Sequence, residues 1–96
     1  MNLRVMFKIQ RSSNGKSVVF TLSGRIQAAA LTELQKLLKG EAGDHNVALD
    51  LKDVRLLDRT VVIFLASCEA KGMKLSNCPR YIREWIRKEA VQSEDR

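Results

Sequence analysis

Two alternating runs of residues flank an Asn-Gly pair near the start of this chain, and no other feature limits its fold as much. Leu3, Val5, Phe7 and Ile9 alternate with Arg4, Met6, Lys8 and Gln10. Period two over that length marks a strand with one buried and one wet face. Val18, Phe20 and Leu22 alternate in the same way with Val19, Thr21 and Ser23. Between the runs, Ser12-Ser13-Asn14-Gly15 supplies a turn, because Asn-Gly tolerates the positive φ angles that a tight hairpin demands. The chain is therefore expected to begin with an antiparallel strand pair.

After Gly24-Arg25 the period lengthens to that of a helix. Ile26, Ala30, Leu34, Leu37 and Leu38 share a face, with Gln27, Glu33, Lys36 and Lys39 largely off it. Gly40 is a stop signal, and Gly43 and Asn46 lie in the connection that follows. Val47 to Leu51 reads as a short strand, and Lys52 to Leu57 as a loop leading to Asp58. That aspartate is expected to cap a helix from Arg59 to about Lys71, accepting from free N–H groups of the first turn. The helix is apolar on most sides at its start (Val61, Val62, Phe64, Leu65), which predicts deep packing of its first two turns. Gly72 is the expected C-terminal cap, Met73 to Ser76 a last strand, and Asn77-Cys78-Pro79 the opening of a third helix. Ile82, Trp85, Ile86 and Ala90 would form the buried face of that helix.

The order is thus β-β-α-β-α-β-α. Right-handed crossovers make strands two to four parallel and place both crossover helices on the same side. The alternation of the first strands agrees, since it leaves the face of Arg4, Lys8, Gln10 and Thr21 without helical cover; helices on both faces would call for continuous apolar strands. The predicted fold is α/β: a four-stranded mixed sheet, first strand antiparallel, order 1-2-3-4, with helices packed on one face. It is expected to form a single domain over residues 1–96, its tail fraying from about residue 91.

Composition sets the function classes. The 96 residues are 45% hydrophobic, enough for one small core but not for separate cofactor and substrate domains. The longest apolar run, Val61 to Ala66, is six residues, against the ~20 of a membrane span. Lys8 interrupts the apolar residues that follow Arg4, so no signal-peptide core forms. A soluble cytoplasmic protein, without membrane insertion, is expected. The net charge is +6, with each half of the chain carrying +3; a nucleic-acid binder more often gathers its charge into one stripe.

Cys68 and Cys78 lack metal-ligand spacing, and His45 lies in a turn, Gly43-Asp44-His45-Asn46. No nucleophile–base arrangement, paired carboxylates or phosphate-binding glycine pattern is present in the sequence. No enzymatic activity, cofactor or metal is expected.

Several stretches together resemble a STAS domain, the fold of bacterial anti-sigma-factor antagonists and of sulfate-transporter tails. They are Leu22-Ser23-Gly24-Arg25-Ile26, the amphipathic helix after it, Val47 to Val54, an aspartate opening the second helix, and Gly72-Met73-Lys74-Leu75. In antagonists of this family the second helix opens with Asp-Ser-Ser/Thr-Gly, whose third residue is phosphorylated by the anti-sigma kinase. Here the matching residues are Asp58-Arg59-Thr60-Val61. The resemblance implies Thr60 as the phosphoacceptor candidate. Arg59 and Val61 depart from the pattern and crowd the approach of a kinase, which implies a docking surface whose phosphate switch is degenerate. That surface would comprise Ser23, Gly24, Arg25, Leu56, Leu57, Asp58, Arg59, Thr60 and Val61. Its expected partner is an anti-sigma factor or a related kinase-fold regulator.

Three other groups of residues are candidates. Arg80, Arg83 and Arg87 fall at i, i+3 and i+7 on the third helix, interrupted by Glu84 and Glu89, and give the alternative reading of a small basic nucleic-acid-binding protein. Tyr81 and Trp85 stand at i, i+4 and are expected to pack in the core. Met6, Val19 and Ala48 lie on the uncovered sheet face, a candidate dimer surface for a chain expected to be a monomer or weak homodimer.

Overall fold

The computed structural model describes residues 6–41 and 46–94, with side chains as far as 91. Leu3, Val5 and His45 fall outside them. The described elements are β1 (Phe7–Ser13), β2 (Ser17–Ile26), α1 (Ala28–Lys39), β3 (Asn46–Leu57), α2 (Arg59–Ala70), β4 (Lys74–Ser76) and α3 (Arg80–Glu94). They build one mixed sheet in the order β1-β2-β3-β4, antiparallel between β1 and β2 and parallel elsewhere. The predicted order of elements and the strand directions are those observed.

The hairpin is tighter than expected. Ser12 and Ser13 do not belong to the turn; they continue β1, opposite Val19 and Val18. Ladder bonds are made by the backbone, so a polar stretch can extend a strand whose apolar alternation has already stopped. Arg11 shares the inward side with Ile9, yet its side chain reaches Glu41 beyond α1, at 2.7 Å. The turn itself is Asn14-Gly15-Lys16. The Asn14 N–H donates to the Ser17 carbonyl at 3.1 Å, and the Asn14 side-chain oxygen accepts from the Ser17 N–H at 3.2 Å.

Two further expectations change at the next boundaries. Ile26 does not open α1; it ends β2, fully buried and paired with Leu57. Residues Lys52 to Leu57 are not a loop but the second half of β3. The register shifts twice there, between Thr21 and Ser23 and between Gly24 and Arg25, each time leaving an extra residue on β3. A bulge of this kind changes the local inward spacing from two residues to three. Leu49, Leu51, Val54 and Leu57 are consequently all buried, and no simple alternation betrays the strand.

The core lies between the sheet and the helices. Val18, Phe20, Leu22, Leu49 and Leu51 meet Ala30, Leu34, Val61, Val62, Leu65 and Ile82 there. The C-terminus of α2 is closed by the N–H groups of Gly72 and Met73, which donate to the carbonyls of Glu69 and Cys68; the left-handed conformation this needs falls on Gly72, as expected. In α3 the Pro79 carbonyl accepts from Arg83, so the helix proper starts at Arg80. It runs on through Val91 to Glu94. Ala90 is exposed, and Glu89 takes the inward place instead.

Gly24 is fixed by its neighbours. Its φ is +85°, and a Cβ there would overlap the Met6 carbonyl oxygen, which accepts the Arg25 N–H at 2.8 Å. Gly15 also has a positive φ, +98°, but open space around it. A side chain in this region of φ costs ~1–2 kcal/mol by itself. Gly15→Ala should therefore lose about that much in thermal or denaturant unfolding, and Gly24→Ala clearly more, because β1 must also be pushed off β2. Equal losses at the two sites would show that the Met6 contact matters little.

Candidate docking site

The opening of α2 is organised by Asp58. Its backbone is extended (φ −116°, ψ 175°), and its Oδ1 accepts the Val61 N–H at 3.0 Å while its carbonyl accepts the Val62 N–H at 3.1 Å. The expected cap is therefore present, and its carboxylate lies at the positive end of the helix dipole. Capping turns the next residues in opposite directions. Val61 and Val62 are fully buried, whereas Arg59 and Thr60 are exposed.

Strand β3 brings a second part of the rim beside this turn. Leu56 is 42% exposed and lies in register with Arg25 on β2, next to the buried pair Ile26 and Leu57. Ile63, one turn beyond Thr60, is 41% exposed. Sequence reasoning missed it, because it stands inside a continuous apolar run where the outward position leaves no mark. Of the nine docking candidates, the structure turns Leu57 and Val61 inward, and neither can touch a partner. Ser23 and Gly24 are half-buried; Arg25, Leu56, Arg59 and Thr60 face outward, with Asp58 half-buried among them.

A broad depression of about 1250 Å³ adjoins this rim, lined in part by Met6, Lys8, Ser23, Arg25, Lys52 and Arg55. Lys52 and Arg55 became part of it only because β3 extends past Leu51. Met6 sits at this end, opposite Gly24 and Arg25, while Val19 pairs with Ala48 farther along the sheet. The three apolar residues expected to form one dimer patch are thus divided between two places.

Arg59 is held by α3. Its Nε donates to Glu89 Oε2 at 3.0 Å, and the Trp85 indole N–H donates to the same oxygen at 3.3 Å. Glu89 is only 8% exposed, so this carboxylate is a buried acceptor shared by two donors and does not dilute a surface stripe. Trp85 is half-buried against the core, as expected, but Tyr81 is exposed. The basic stripe of α3 is similarly engaged. Arg83 donates to both oxygens of Glu69, at 2.8 and 3.0 Å, and Arg87 donates to Glu84 at 2.6 Å; Arg80 is exposed.

Reactive groups are sparse. Burial pushes the Cys68 thiol up to about 11, against the opposing pull of the Lys71 charge. Burial also raises the Cys78 thiol, with Arg83 opposing it. A thiol held protonated at neutral pH is a poor nucleophile. Among the described residues, no three His, Cys, Asp or Glu side chains gather closely enough to hold a metal ion, and no helix is long and apolar enough to cross a membrane.

Glu89 generates a stability test. Removing it takes the acceptor from the half-buried Trp85 indole N–H and from Arg59 at once, and a stranded buried donor typically costs ~1–3 kcal/mol. Removing Arg59 deletes a largely solvated charge and leaves Glu89 its indole donor, so the loss stays near the ~1 kcal/mol upper end for an exposed pair. Glu89→Ala should accordingly destabilise the fold more than Arg59→Ala in chemical denaturation, and it should shift Trp85 fluorescence. The reverse ranking would place the energetic weight on the ion pair. No protein-family model matches the chain, and no curated protein matches it.

Proposed function

We propose that the chain is a non-enzymatic protein-interaction module of a bacterial regulatory system. It is similar in role to an anti-sigma-factor antagonist, binding a kinase-fold anti-sigma factor through the rim where β3 passes into α2. One observation carries this reading: Leu56 at the end of β3 and Thr60 and Ile63 on α2 are exposed on either side of the Asp58 cap, while Val61 and Val62 are locked into the core. A rigid, partly apolar rim of this kind can be gripped without ordering costs.

The phosphate switch of such antagonists is degenerate in this reading. Thr60 is exposed, but a phosphate there would lie near the Asp58 carboxylate, which is committed to the Val61 N–H. Arg59 would be its nearest counter-charge, and that guanidinium is drawn towards Glu89. A nucleic-acid role through Arg80, Arg83 and Arg87 has less support, because two of the three are paired with carboxylates on the same surface.

The test uses the kinase-fold anti-sigma factors of the source cell, purified, with binding read by calorimetry and modification by intact mass. At least one should bind. Leu56→Asp and Ile63→Asp should each weaken that binding tenfold or more while leaving thermal unfolding within a few degrees, since both positions are exposed. Thr60→Ala should bind as the parent does, and incubation with ATP should add no phosphate. Binding to none of them, or binding indifferent to both aspartates, overturns the docking rim. Phosphate on Thr60 overturns the degenerate switch.

A further inference from the structure

Between α1 and the C-terminal half of α2 lies a cavity of about 460 Å³, away from the docking rim. That volume falls within the ~300–1,000 Å³ usual for small-molecule sites. Its apolar lining is Leu38, Phe64, Cys68 and Met73, all packed into or against the core. Its remaining lining includes Lys36 and Lys39 from the last turn of α1 and Lys71 from the cap of α2, all three exposed. None of these ammonium groups forms an ion pair with a described carboxylate.

Lysines in the last turn of a helix are favoured by the helix dipole alone, which could account for Lys36 and Lys39. It does not account for their convergence with Lys71, which belongs to a different helix. The Lys71 charge is also felt within the cavity, where it works against the burial that raises the Cys68 thiol. The space therefore combines an apolar interior with a cationic edge that no described carboxylate pairs. A neutral apolar molecule would leave the three charges unused, and a small inorganic anion would leave the apolar walls uncovered.

We infer that this cavity binds an amphiphilic anion, an aliphatic chain ending in a carboxylate, with the chain against Leu38, Phe64 and Met73 and the head among Lys36, Lys39 and Lys71. The site is independent of the docking rim, and its occupancy can be read without any protein partner.

Decanoate below its micelle-forming concentration is a suitable probe, followed by amide chemical shifts of the whole chain. Saturable shifts should centre on Lys36, Phe64, Cys68 and Lys71. Acetate, which lacks the chain, and decanol, which lacks the charge, should each bind at least tenfold more weakly. The triple substitution Lys36→Gln, Lys39→Gln, Lys71→Gln should weaken decanoate binding tenfold or more; all three residues are exposed, so the fold should persist. As a second variant, Ser67→Trp fills the cavity from its exposed edge and should abolish the shifts. Any of three results overturns the inference: shifts that do not saturate, shifts that centre on Lys8 and Lys52 instead, or a triple variant that binds as well as the parent.

Discussion

Strand β3 uses twelve residues, Asn46–Leu57, to run beside the ten of β2, Ser17–Ile26, and the two surplus residues sit in bulges near Gly24. Parallel strands without bulges would keep inward residues two apart, which would bring Asp53 and Arg55 into the core and expose Val54. With the bulges, Val54 and Leu57 face inward, and Asp53 and Arg55 stay in solvent. The strand then ends with Leu57 buried against Ile26, and Asp58 is delivered at the sheet's end in the extended conformation a cap requires. The whole rim depends on that register. A slip of one residue in β3 would exchange Leu56 with Leu57 and carry the start of α2 with it.

The other side of the same end is set by Gly24. The chain entering β1 passes so close to it that the Met6 carbonyl occupies the place of a side chain and accepts from Arg25. The edge of β2 is therefore covered at the point where the bulges loosen its pairing with β3. One close approach compensates for ladder bonds that two irregularities disturb. Arg25 is in consequence held by backbone contacts on both sides, to Met6 and to its partner Leu56 on β3, not by its own side chain.

Where the sequence obeys a single period, its reading matches the structure. The alternation of Val18, Phe20 and Leu22, the Asn14-Gly15 turn, the Asp58 cap and Gly72 after α2 each express one local rule, and each is found. The misses at strand boundaries share a cause. Ser12 and Ser13, Lys52 to Leu57 and Ile26 all lie where pairing with a neighbouring strand overrides the local pattern. The site was legible to the same degree. Asp58 follows from a cap, but the burial of Val61 beside the exposure of Ile63 depends on which way α2 faces the sheet. An unbroken apolar run does not encode that direction. Likewise Arg83 and Arg87 read as a free stripe, because Glu69, fourteen residues from Arg83, is brought to it only by folding.

Arg59 shows how a residue at the start of one helix can have its structural reason in another. Burying the Glu89 carboxylate in α3 requires donors, since an unpaired buried charge is costly. Trp85, one helical turn away, supplies one N–H, and its ring is already committed to the core. The second donor must come from a neighbouring element, and α3 packs on α2. Only a long side chain can span from the first turn of α2 to Glu89, and a planar guanidinium can do so while remaining 66% exposed. The pair Arg59 and Glu89 thus links the third helix to the first turn of α2.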